Sequence, residues 1–150
     1  MNYFYTTTTT GVITPSEHYE DFMERLIDEV CYALGVNKKL LYTKTRETQV
    51  RCARWMTWEI AIAKKGLTLT AAAAIFGHHH HTSVGNALER LPGDLEHNKF
   101  MHGAYIGILK RLGIEESEII KFRNERCISK GKLTHKYLSE KMRKLKKSHA

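Results

Sequence analysis

No apolar run in the sequence approaches the roughly 18 residues that a membrane-crossing helix needs. The N-terminus, MNYFYTTTTT, lacks the basic region and apolar run of a secretory signal, so the expected location is the cytoplasm. Cysteine is scarce. Cys31, Cys52 and Cys127 are odd in number and lack metal-ligand spacing, which points to reduced thiols. No convincing alternating strand pattern, internal repeat or phosphate-binding GxxxxGKT loop is present. Acidic residues do not cluster beside the histidines, so a divalent-ion nuclease centre has no ligands, and no Ser/Cys–His pairing suggests a nucleophile. The expectation is a non-enzymatic protein with no cofactor, no metal and no small-molecule substrate.

What the sequence does have is positive charge, unevenly placed. Its net charge is +8, yet residues 1–30 carry −5, residues 31–66 carry +6 and residues 121–150 carry +9. Two basic regions set apart from an acidic first segment suit a polyanionic partner.

Helical periodicity runs through the chain, and the expected class is all-α. Residues 1–13 read as a disordered arm. Thr14-Pro15-Ser16-Glu17 has the form of a capping box. Tyr19, Phe22, Met23, Leu26, Ile27, Val30 and Leu34 then repeat at helical spacing, closed by Gly35. A short helical turn fits Asn37 to Tyr42. A long helix is expected from about Arg46 or Glu47 to Lys65, with Val50, Ala53, Thr57, Ile60 and Ala61 inward and Gly66 at its end. Leu91-Pro92-Gly93-Asp94 should break the chain. Met101, Ala104, Tyr105, Ile108, Leu109 and Leu112 predict another amphipathic helix, closed by Gly113. A weaker helix is expected over Ser117 to Arg126. This gives a helical domain at 14–112 and a basic extension at 113–150.

The most informative stretch is TLTAAAAIFGHHHHTSVGNALERL, from Thr68 to Leu91. Thr68 can cap a short helix carrying Ala72, Ile75 and Phe76. Gly77 stands where a left-handed residue ends a helix. Val84, Ala87, Leu88 and Leu91 give the stripe of a second helix. Such a pair over 68–91 predicts a helix-turn-helix, whose second helix presents its first side chains to base edges in the major groove. Four adjacent histidines do not make a metal site, because neighbours along a helix diverge.

With these residues in view, the middle of the chain resembles the C-terminal DNA-binding domain of the bacterial replication initiator DnaA. That family carries an Arg-Gln pair on a long helix and, after a fixed interval, a Phe-Gly-Gly-Arg-Asp-His-Thr-Thr-Val motif. Arg54 begins the first element here. Phe76-Gly77-His78-His79-His80-His81-Thr82-Ser83-Val84 stands for the second, without a gap in the interval. Lys44 and Arg46 fit a Lys-x-Arg sequence upstream. The likeness covers roughly residues 20–92. It implies a Trp-repressor-like helix-turn-helix with extra C-terminal helices, acting on double-stranded DNA without the initiator's ATPase. The setting would be replication or transcription control of a phage or mobile element, near the nucleoid. A replication protein is a further candidate partner.

By resemblance, His79, His80, His81, Thr82 and Ser83 face the major groove, with Leu69 and Thr70 beside them. Arg46 matches the arginine that enters the minor groove. Lys44, Arg51 and Arg54 are expected to hold phosphates. Several positions depart from the family: His79 replaces an arginine, His80 an aspartate, Trp55 a glutamine, Thr70 a proline and Ala73 a glycine. Exchanging the aspartate acceptor for His80, which can donate, implies a target other than the initiator's own box. The alternative function is a protein-interaction module that engages the host initiator or replisome through the Met101–Leu112 helix. In that case the basic tail binds nucleic acid only nonspecifically.

Overall fold

The computed structural model describes residues 18–77 and 79–129, with the side chains of residues 128 and 129 excepted. The arm at 1–13, the capping box at 14–17, His78 and the extension beyond residue 129 lie outside the described residues. The described chain is helical, with no strand among the described residues. It divides into two compact units, one ending at Glu116 and the other starting at Ser117.

In the first unit, α1 spans Tyr19–Leu34 and a 3-10 turn spans Lys38–Tyr42. Helix α2 covers Thr48–Lys65, α3 Leu69–Ala74, α4 His81–His97 and α5 Lys99–Arg111. Phe22, Leu26 and Val30 of α1 are fully buried, as the apolar spacing required, while Tyr19 stays 43% exposed at the helix start. Helix α1 packs on α2 and α5, and α4 packs on α2, α3 and α5. Helix α2 is the centre of the unit. From Cys52 to Ile62 only Trp55 escapes full burial. Even Glu59 is buried there, and its carboxylate accepts the hydroxyl proton of Tyr105 on α5. Thr57 donates to the Ala53 carbonyl at 2.8 Å, which keeps its hydroxyl satisfied inside the core.

The expected glycine stops are present. Gly35, Gly66, Gly77 and Gly113 have φ of 65, 65, 67 and 72°. This left-handed backbone costs glycine no side-chain clash. The Thr68 hydroxyl accepts the Ala71 amide at 3.1 Å and caps α3. Phe76, just before the left-handed Gly77, is 2% exposed and anchors the turn between Tyr42 and Trp58.

The expected break at Leu91-Pro92-Gly93-Asp94 is absent, because α4 runs through Pro92 to His97. Pro92 has no N–H for the Leu88 carbonyl, a loss worth about 3 kcal/mol in a helix interior. Burial on both sides offsets it. Leu91 is fully buried and Leu95 is 4% exposed, so the apolar stripe from Val84 continues past the proline. The helix ends instead at Asn98, whose side chain accepts the Met101 amide at 3.1 Å and starts α5. The apolar face of α5 is spent on the core. Met101, Tyr105, Ile108 and Leu109 are buried, while Phe100 at the start of the helix is 59% exposed.

The second unit holds α6, Glu116–Ser129, apart from its first residue. It is longer than the weak helix expected over Ser117 to Arg126, and Lys121 and Glu125 stand 4.0 Å apart one turn along it.

Candidate nucleic-acid interface

The segment between the 3-10 turn and α2 is held open by one side chain. Arg54 projects from α2 with 4% exposure. Its Nε donates to the Leu41 carbonyl at 3.0 Å and its Nη1 to Thr45 at 2.8 Å. Its Nη2 donates to Leu40 at 3.1 Å and to Thr43 at 2.5 Å. Four of the five guanidinium donors are therefore spent on backbone carbonyls. Burial pushes its pKa down from the usual guanidinium value. Arg54, expected to hold phosphate, thus commits most of its donors within the protein and shapes the loop that carries Lys44 and Arg46. Those two residues precede α2 and are exposed, as is Arg51 in its first turn. Arg51 lies over the Trp55 ring, 5.3 Å from its centroid. None of Lys44, Arg46 and Arg51 pairs with a carboxylate among the described residues.

The start of α4 faces the same region. His80 is its N-cap, with extended backbone, and its Nδ1 accepts the Thr82 amide at 3.2 Å. Accepting that proton requires a lone pair on Nδ1, so in the neutral ring the proton sits on Nε2. His80 thus keeps the acceptor role of a capping side chain on one nitrogen and offers a donor on the other. The Thr82 hydroxyl lies 3.0 Å from the same Nδ1. The His80 and His81 rings lie close together, tilted by 37° with centroids 4.1 Å apart. His81, Thr82 and Ser83 are exposed in the first turn. His79 is less free than expected, because it is half-buried and its ring meets Trp58 edge-on at 5.3 Å.

A cleft of about 390 Å³ joins these parts. It is lined by Lys44, Thr45 and Arg46 before α2, by Arg51, Arg54, Trp55 and Trp58 on α2, and by His79 and Ser83 around the start of α4. Six of the eleven anticipated site residues therefore share one cavity. His80, His81 and Thr82 lie outside it on the adjoining helix start. Leu69, half-buried, and Thr70, exposed, lie on α3 and do not line it. The tryptophan wall was missed as part of the site. Arg51, Arg54, Trp55 and Trp58 recur at one-turn spacing, which marks a single face of α2 that is both cationic and aromatic. No group able to hold a metal ion occurs among the described residues.

None of the family models, characterised proteins or solved structures compared with the chain gives a significant match.

Proposed function

We propose that this chain is a sequence-specific double-stranded DNA-binding protein without catalytic activity, acting in replication or transcription control. The observation that carries this reading is the placement of three cations, none paired with a carboxylate among the described residues, beside the exposed first turn of α4. Lys44, Arg46 and Arg51 supply a phosphate-directed field, which positions a duplex without reading it. His81, Thr82 and Ser83 offer donors, acceptors and a methyl group, which are the means of reading base edges. The packing of α3 against α4 and the left-handed Gly77 between them suit a helix-turn-helix of the DNA-reading module in DnaA-type initiators. Selection of bound sequences from a random duplex pool tests the reading. Enrichment of one sequence family is expected, and a pool that stays random after several rounds contradicts it.

A further inference from the structure

We infer that His80 is a positioning residue that fixes the hydrogen-bond sense of Thr82. The Thr82 hydroxyl then meets DNA as an acceptor only and selects an exocyclic amino group, adenine N6 or cytosine N4. The inference rests on the DNA-binding function proposed above and narrows what one of its base readers can recognise.

A threonine hydroxyl does not discriminate by itself. It has one proton and two lone pairs and rotates to suit its partner, so an amino or a carbonyl group fits it equally. At Thr82 that freedom is taken away. The Nδ1 of His80 accepts the Thr82 amide at 3.2 Å, so that nitrogen carries a lone pair and no proton. A proton there would face the amide, donor against donor, so the backbone itself selects the tautomer. The Thr82 Oγ1 lies 3.0 Å from the same Nδ1. Against a bare lone pair the hydroxyl can only donate. Among the described residues it has no other partner. Its proton is therefore spent inside the protein, and only its lone pairs are left for a ligand. The His81 ring lies against the His80 ring, 4.1 Å between centroids, and limits its rotation. Thr82 is exposed in the first turn of α4, so a base edge can reach those lone pairs. The Ser83 hydroxyl has no such partner among the described residues and keeps both senses.

In the major groove, lone pairs find donors at adenine N6 and cytosine N4, whereas guanine and thymine offer carbonyl oxygens. To meet a carbonyl, the Thr82 hydroxyl has to turn away from Nδ1 and forfeit that bond. The net loss of one neutral hydrogen bond corresponds to about fivefold in affinity.

A site selected from random duplex by the full chain supplies the probe. If no site can be selected, the function and the inference fall together. Thr82→Val keeps the methyl and removes the hydroxyl, and the base pair whose preference it abolishes is the one Thr82 reads. No change at any pair would overturn the inference alone. At the located pair, two changes of a single group give the sense of the contact. Deleting the amino group, with purine for adenine or pyrimidin-2-one for cytosine, should weaken wild-type binding about fivefold and leave Thr82→Val indifferent. Putting sulfur in place of the partner carbonyl, with 4-thiothymine or 6-thioguanine, should leave both proteins unchanged. The reverse pattern would overturn the inference while the DNA-binding function stands.

Reversing the pair between strands puts a carbonyl near the place of the amino group and tests His80 itself. The wild type should discriminate about fivefold and His80→Ala hardly at all. His80→Asn should recover the preference, because an asparagine oxygen accepts at an N-cap. Undiminished discrimination in His80→Ala would overturn the role of His80. A long-range proton–nitrogen spectrum of the full chain at mildly alkaline pH reads the tautomer directly, with the His80 signals assigned by their loss in His80→Asn. The Nε2–H form is expected, and the Nδ1–H form would overturn the inference.

Discussion

The Nε of Arg54 donates to the Leu41 carbonyl at 3.0 Å, tying the middle of α2 to the end of the 3-10 turn. That bond and its three companions decide where Lys44 and Arg46 stand. Arg54→Gln therefore acts first on folding, because several carbonyls lose a charged donor inside the protein. It should cost about 3 kcal/mol in a urea melt without DNA. An unchanged midpoint would return Arg54 to the role of a surface phosphate ligand. Arg54→Lys should rescue little, since an ammonium lacks the planar fork that reaches four carbonyls.

The buried thiols give a pH dependence of known sign. Burial pushes the pKa of Cys31 up, with Asp28 adding to the rise and Lys38 opposing it. Burial does the same at Cys52, where Arg51 opposes and Asp94 adds. Both groups hold their proton more tightly folded than unfolded. The stability they contribute is complete below the ordinary thiol pKa of about 8.5 and is lost as pH rises through the raised value. The urea midpoint should fall between about pH 7 and about pH 10. In Cys52→Ala it should fall less over the same interval, starting from a slightly lower value. An equal fall in both proteins would remove Cys52 as a contributor.

Arg46 should report on the minor groove. It is exposed beside the cleft and pairs with no carboxylate among the described residues. Arg46→Ala should weaken binding most on sites with an A·T-rich step next to the half read in the major groove. Netropsin, which fills that groove, should compete with the wild type and lose most of its effect on Arg46→Ala. Failure of netropsin to compete would place Arg46 on phosphate alone.

Local rules made much of this fold legible. The apolar stripes of α1 and α4, the Thr68 cap and the left-handed glycines depend on residues a few positions apart, and the structure has them where the pattern put them. Pro92 went the other way because tertiary burial of Leu91 and Leu95 outweighs a proline's local cost. Arg54 and Glu59 were illegible for a related reason. Their partners lie 9–14 and 46 residues away, and a charge inside a core has no local signature. At the site, the cations and the α4 start were found from charge and motif. The Trp55–Trp58 wall was not, although the two share one face of α2, with Trp58 buried and Trp55 half-buried.

The central claim is that the first turn of α4 reads bases while the cationic cleft holds the strand. Anisotropy of wild type, His81→Ala and Thr82→Ala, on the selected duplex and on random duplex, tests it most directly. Each substitution should cost about 1–3 kcal/mol on the selected site and far less on random sequence. Equal losses on both duplexes would contradict base reading at this turn.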